Sequence, residues 1–346
     1  MQPEAASTVV ITALALGLAA MAAPTRQTKT AILVRGSVGL AGLIAIVIVP
    51  TLDLVALIVL ALGAAQAGLP GGRTFASRLR APVFAVGSIA LGLIFLRVQG
   101  PETLSRFGAV LIVTGLTAAV GLVPFLHTFD PEEPITLSPV AWMAFIGPVL
   151  AVVVMSRAKG ILVGEGAAMG AILIGLGLVN VVWGSLAAWR SEDGMAAWRY
   201  SFMGDWGLAL CGLGLVVADG QAAALLVLFS IVLGRLPLYV ASRPAVREKS
   251  TTDRPINLIV AALLAGSAPF AGFAARLFLL RGATQLFWPL ALVLAIAMVL
   301  WLPGSLRLGR SLGLPRGWQA VAVGIVVVLN TVIGLYPRPL LFLAGL

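Results

Sequence analysis

An acid and two arginines stand inside stretches that are otherwise apolar: Asp205, Arg235 and Arg276. Ionisable groups at membrane depth are expensive, so each is a candidate for a proton path or for a fixed intramembrane charge. A carboxyl can load and release a proton. Asp205 is therefore either a relay residue or the partner of Arg235 or Arg276 in an ion pair that joins helices. A guanidinium stays protonated at accessible pH, so the arginines can position water or bias a neighbouring acid but cannot readily carry the proton. All three lysines and all seven glutamates fall in the N-terminal tail or in connectors. His127 could titrate near neutrality, but it falls in a connector and reads as a solvated histidine.

No other site chemistry is visible in the sequence. There is no phosphate-binding glycine motif closed by Lys and Ser or Thr, no His pair at ligand spacing and no serine elbow. Cys211 is the sole cysteine, so neither a disulfide framework nor a cysteine metal site can form. No catalytic residue, cofactor or metal is expected.

The elements that hold these charges are set by apolarity. Hydrophobic residues make up 60% of the 346 positions and charged residues 10%, against roughly 25% charged in soluble domains. Apolar stretches repeatedly reach the length that crosses about 30 Å of hydrocarbon as a helix. Twelve spans are expected, near 7–23, 31–49, 52–69, 81–97, 104–126, 135–156, 166–189, 200–218, 221–241, 256–280, 285–303 and 318–336. Residues 7–23 could imitate a signal peptide, but Glu4 and no Lys or Arg precede them, so they read as the first span. The connectors are short, which implies a single all-α membrane domain over 1–346. The net charge of +10 fits loops facing anionic lipid rather than a nucleic-acid partner. Connectors after odd-numbered spans, counted with the span ends beside them, carry 15 basic residues, among them Arg26, Lys29, Arg80 and Arg254, against 6 in the even connectors, their span ends and the C-terminus. That asymmetry puts the odd connectors in the cytoplasm and both termini outside. The acidic connector 127–134 dissents, but acids weigh little in this rule.

Two spans carry a proline beside glycine near one end, Gly121-Leu-Val-Pro124-Phe125 and Gly266-Ser-Ala-Pro269-Phe270-Ala-Gly272-Phe273. Proline frees a carbonyl and breaks a helix. The breaks lie five spans apart, an odd number, so a five-helix repeat would be inverted in the membrane. Paired breaks of this kind occur in many ion-coupled transporters. This divides the chain into leading helices (7–50), a first repeat (52–156), a second repeat (166–303) and a closing helix (318–346).

Several motifs in order resemble the antiporter-like membrane subunits of respiratory complex I, energy-converting hydrogenases and multisubunit cation/proton antiporters. Val123-Pro124-Phe125 through Asp130-Pro131, followed by Ser138-Pro139-Val140, is similar to the region around that family's broken seventh helix. Asp193-Gly194-Met195 through Gly204-Asp205-Trp206-Gly207 resembles its cytoplasmic Asp-Leu-Lys-Arg loop and the helix that follows. Gly234-Arg235-Leu236-Pro237-Leu238-Tyr239 resembles the helix ending Lys-Ala-Leu-Leu-Phe, and Gly266 to Arg276 the broken helix ending in Lys. Gly334-Leu-Tyr336-Pro337 is similar to the end of the last helix.

The resemblance implies a fourteen-helix relative, here lacking the first two helices, in a bacterial inner membrane beside other membrane-arm subunits. It also marks departures. The family's pumping units pair a Glu with a Lys in the first half, whereas 54–69 holds no acid and the lysine position is Ala119. The two later lysine positions are Arg235 and Arg276, the loop lysine is Met195, and a family histidine is Ile231. The resemblance therefore implies a degenerate, mainly structural subunit of a proton-translocating NADH/quinone oxidoreductase or hydrogenase-type complex. An active proton or sodium/proton transporter subunit is a second possibility, and a stand-alone small-molecule permease with similar broken helices is a third.

Overall fold

In the computed structural model, residues 3–49, 51–68, 75–98, 102–126, 147 and 166–343 are described. The expected span 135–156, apart from residue 147, the acidic connector 127–134 and His127 lie outside them. The described residues form helices and turns with no strand. The helices are α1 (Pro3–Met21), α2 (Arg26–Ile48), α3 (Leu52–Ala67), α4 (Phe75–Arg97), α5 (Glu102–Val120), α6 (Gly166–Arg190) and α7 (Gly194–Gly214). They continue with α8 (Ala218–Phe229), a π-helical turn (Ser230–Arg235), α9 (Leu236–Arg247), α10 (Pro255–Leu264), α11 (Ala271–Leu286), α12 (Trp288–Leu300), α13 (Leu302–Arg310), α14 (Trp318–Leu335) and α15 (Arg338–Leu343).

Seven described helical stretches are long and apolar enough to cross a bilayer, and three more apolar helices are shorter. The chain is an integral membrane protein. Several helices outrun the apolar windows: α4 begins at Phe75, α9 runs to Arg247 and α13 to Arg310. A helix that leaves the hydrocarbon keeps its own backbone bonds and no longer needs apolar side chains, so composition underestimates its length. Asp193 starts α7 by accepting from the backbone N–H groups of Met195 (3.0 Å) and Ala196 (3.2 Å), a side-chain N-cap that extends the helix below the expected span.

The helices divide by burial. The apolar window within Ala218–Arg247 is wholly buried, whereas only 22% of the window in Trp318–Leu335 is. α7 is buried along almost its whole length. The outward faces of α3, α6, α12 and α14 expose Leu57, Val179, Leu292 and Val328, the surface expected to meet lipid tails. Trp288, Trp318 and Tyr336 are exposed at span ends, where amphipathic rings sit at headgroup level. The helices carrying Asp205 and Arg235 thus form the interior, and the protein shields their charges from lipid.

Polar contacts tie span ends together. Asp53 at the start of α3 meets Arg97 at the end of α4 (2.6 Å), and Asp219 at the start of α8 meets Arg281 near the end of α11 (3.0 Å). Asp253 before α10 meets Arg310 at the end of α13 (2.6 Å). Arg307 reaches back to the carbonyls of Ser191 and Glu192 after α6. Each contact joins positions that the alternation of spans assigns to one side.

The two breaks have the same local build. α5 ends before Gly121 (φ 90°) and α10 ends before Gly266 (φ 64°), a left-handed region that favours glycine. The residue after each glycine donates back into the last helical turn, Leu122 to Thr117 and Ser267 to Ala262. Three residues on, Phe125 donates to Leu122 and Phe270 to Ser267. Both intervening X–Pro bonds, Val123–Pro124 and Ala268–Pro269, are cis. After the second break the chain resumes as α11. Val123 N–H, left over at the first break, donates to Asn180 Oδ1 on α6 at 3.0 Å.

Candidate functional site

The site assembles where α7, the π-helical turn and the broken helix α10/α11 meet. Ser201 and Asp205 lie four residues apart on α7 and so share a helix face. The π turn ends at Arg235, with Leu236 N–H bonded to Ile231 C=O, five residues back. Pro237 follows immediately. Its missing N–H and its ring are incompatible with a regular bond to Leu233, and the wider turn upstream accommodates it. Such turns occur mostly as single insertions, frequently at functional sites. Here it ends at Arg235, the residue that meets Asp205.

Arg235 is 2% exposed and fully engaged. Its Nε donates to Asp205 Oδ2, its Nη1 to Ser201 Oγ and its Nη2 to the carbonyl of Leu264 at 2.7 Å. The guanidinium carbon lies 4.9 Å from the ring centre of Trp301, within range of a cation–π interaction. Trp301 Nε1 donates to the same Leu264 carbonyl at 2.9 Å. Leu264 is the last residue of α10, so its carbonyl is one of those a helix C-terminus leaves without a partner. Arg276 on α11 donates from Nη1 to the next carbonyl, Ala265. It packs so closely on Gly266 that a Cβ there would lie 2.6 Å from its guanidinium carbon. The two arginines therefore close the carbonyl end of the broken helix.

Beside this cluster lies a cavity of about 10 Å³ lined by Asp205, Ser230, Arg235, Leu264, Gly266, Gly272 and Arg276. That is close to the least space one water needs. Among the described residues, the only acid on its wall is Asp205.

The structure brings Asp205, Arg235 and Arg276 to one place, and pairs Asp205 with Arg235. Pro124 and Pro269 stand at the two breaks; Gly266, three residues before Pro269, lines the cavity, and Pro124 is on the other half of the chain. In that first half Asp53 is half-exposed and paired with Arg97, while Ala119 is buried. Ser201, Trp301 and the Leu264 carbonyl were not candidates from the sequence. Ser201 had a signal, its spacing of four from Asp205. A backbone carbonyl and a tryptophan distant in the chain had none. Among the described residues no cluster of His, Cys, Asp or Glu could hold a metal ion.

No family model matches the chain. Two curated relatives do, both described as NADH-quinone oxidoreductase subunit N. The one from Gluconacetobacter diazotrophicus is 30% identical over 185 residues, 48% of this chain and 39% of the relative. The one from Granulibacter bethesdensis is 27% identical over 277 residues, 69% of this chain and 56% of the relative. The chain thus matches about half the length of these relatives. Among solved structures, a chain of the Mrp complex from Dietzia sp. superposes with a TM-score of 0.78 at 15% identity, covering 100% of this chain and 44% of that one. Respiratory complex I from Thermus thermophilus with bound NADH holds a chain with a TM-score of 0.68 at 16% identity, covering 97% and 82%. The membrane-bound sulfane sulfur reductase, an archaeal respiratory membrane complex, gives a TM-score of 0.70 at 18% identity, covering 94% and 63%. At these identities the structural likeness is one of fold.

Proposed function

From a chain that is homologous to NADH-quinone oxidoreductase subunit N and has the antiporter-like membrane fold, we propose a membrane-arm subunit of a proton-translocating oxidoreductase or hydrogenase-type complex, mainly structural in role. It sits in a bacterial inner membrane with both termini outside, and the two halves, 52–156 and 166–303, act as inverted repeats that pack neighbouring subunits. The observation that carries the structural role is the engagement of Arg235. All three of its nitrogens are bonded, to Asp205, Ser201 and the Leu264 carbonyl. A proton relay needs groups that load and unload near the working pH. A guanidinium does not, and here it also holds the one acid of the cluster. Arg276 is likewise tied, to Ala265.

A second function, an active proton or sodium/proton transporter subunit, draws on the small cavity that touches both Asp205 and Arg276. Three experiments separate them. Gentle solubilisation of the native membrane, followed by identification of what co-migrates, should recover redox subunits of the quinone- or hydrogenase-type. Purification as a lone active transporter would contradict the proposal. Within the recovered complex, Asp205→Asn should lower assembly while leaving proton transfer per assembled complex unchanged. Normal assembly with lost coupling would favour the relay. Arg276→Lys, which places an exchangeable group at the cavity, should leave coupling unchanged for a structural subunit.

A further inference from the structure

Three helix ends meet around an open cavity of about 670 Å³: the end of α1, the start of α2 and the start of α14. Gln319 on α14 donates to Ala22 after α1 at 3.3 Å and holds the corner together. The size is that of a small-molecule site. Its wall changes character along one direction. Arg26, Lys29, Thr30 and Leu33 follow one another at helical spacing on a single face of α2. The cationic end is therefore the mouth of the span, and the apolar end runs toward the bilayer. Met21 and Trp318 complete the apolar side, and Trp318 is 73% exposed. Neither Arg26 nor Lys29 has a carboxylate partner among the described residues.

We infer that this corner binds the phosphate-bearing headgroup of an anionic phospholipid, with its acyl chains laid along the outward face of α2. Two uncompensated cations select a negative headgroup, as basic pockets between membrane helices do. Leu33 lines the cavity, and the exposed Val34 and Val38 follow Thr30 at four-residue steps into the hydrocarbon. An exposed tryptophan at a span end belongs at headgroup depth. A soluble phosphate would satisfy the cations and leave the apolar wall without a use; a lipid satisfies both. The inference stands apart from the proposed structural role, since it concerns neither Asp205 nor the arginines around it.

The test is lipid binding by the full chain, purified with its native partners, delipidated and titrated with phosphatidylglycerol or phosphatidylcholine while bound lipid is counted by native mass spectrometry. Phosphatidylglycerol should bind in preference. The double variant Arg26→Gln/Lys29→Gln should lose about 30-fold in that affinity, from the usual worth of two cations near an anionic surface. A charge-matched control, Arg80→Gln/Arg254→Gln, removes two exposed cations elsewhere and should bind as the wild type. Millimolar inorganic phosphate should not displace the lipid. In the unaltered protein, phosphatidylglycerol should shield Lys29 from an amine-acylating reagent, a readout that needs no variant to fold. Equal binding of both lipids, unchanged binding in the double variant or displacement by phosphate would overturn the inference. So would shielding of Lys29 in the delipidated complex, which would mean that a neighbouring protein segment fills the corner.

Discussion

Asp205 and Arg235 form an ion pair in the interior of the helix bundle, with side chains 8% and 2% exposed. They come from helices that are themselves enclosed by protein, so lipid touches neither. Removing one partner of such a pair leaves an uncompensated buried charge, at a cost of about 3–5 kcal/mol, whereas replacing both with apolar groups of similar volume is often near neutral.

The first prediction is therefore a strong coupling between these two positions. Asp205→Leu should destabilise the protein by about 3–5 kcal/mol because Arg235 is left alone. Arg235→Met should cost a comparable amount, since it also leaves the Leu264 carbonyl with one donor fewer. The double variant should be less destabilised than the two effects added, by at least about 1 kcal/mol. The measurement is a double-mutant cycle from thermal unfolding in detergent. Additive losses would show that Asp205 and Arg235 do not stabilise one another.

Trp301 makes two separable contributions, a ring face under Arg235 and a donor to Leu264. Trp301→Phe keeps the face and removes the donor, and should cost about 1 kcal/mol, the net worth of an ordinary hydrogen bond. Trp301→Ala removes both and opens a void, for about 3–5 kcal/mol. Unfolding midpoints of the two variants decide the matter; equal losses would place all of the effect on the donor to Leu264 and none on the ring.

Apolarity and Gly–Pro pairs are properties of a short window of sequence, which is why the all-helical membrane character and both helix breaks were legible in it. Asp205, Arg235 and Arg276 were legible for the same reason, as rare charges against an apolar background. Their partners were not. The acceptor shared by Arg235 and Trp301 is the carbonyl of Leu264, and a carbonyl that lacks a partner exists only once α10 has ended. The π turn had one local hint, Pro237, which also fits an ordinary kink. The glycines of the α6–α7 seam were hidden by their abundance: the chain has 39 glycines, and only contact geometry separates those that matter.

Asn180 replaces a lost backbone partner at the first break. Its Oδ1 accepts from Val123 N–H at 3.0 Å while its Nδ2 donates to the Leu176 carbonyl one turn back at 2.7 Å. Asn180→Ala leaves the partly buried Val123 N–H without its acceptor, which should cost about 1–3 kcal/mol. Hydrogen exchange should show the effect locally, with faster exchange around residues 121–125 and little change around Gly266. Loss spread evenly over both breaks would argue against a local cap.

The last prediction concerns how α6 and α7 approach. Gly170, Gly177 and Gly184 on α6 face Gly214, Gly207 and Gly204 on α7, so that backbone meets backbone along the seam. A Cβ on Gly207 would lie 2.6 Å from the Gly177 carbonyl oxygen and 2.6 Å from Val181 N. Neither is a flexible side chain that could move aside. Small residues of this kind let membrane helices pack closely where no hydrophobic drive between them exists. Gly207→Ala should therefore destabilise by about 1–3 kcal/mol, as overpacking does. Gly175 on the same pair of helices supplies the opposite sign: it has open space around it, and alanine is favoured over glycine within a helix by about 0.5–1 kcal/mol. Gly175→Ala should stabilise the protein by up to that amount. Thermal unfolding of both variants in one detergent measures the contrast, and two shifts of the same sign would refute close approach as the reason for Gly207. Because Gly207 stands two residues from Asp205 on α7, a displaced seam should also loosen the Asp205–Arg235 pair. Gly207→Ala is thus expected to weaken the coupling in the double-mutant cycle as well as the fold.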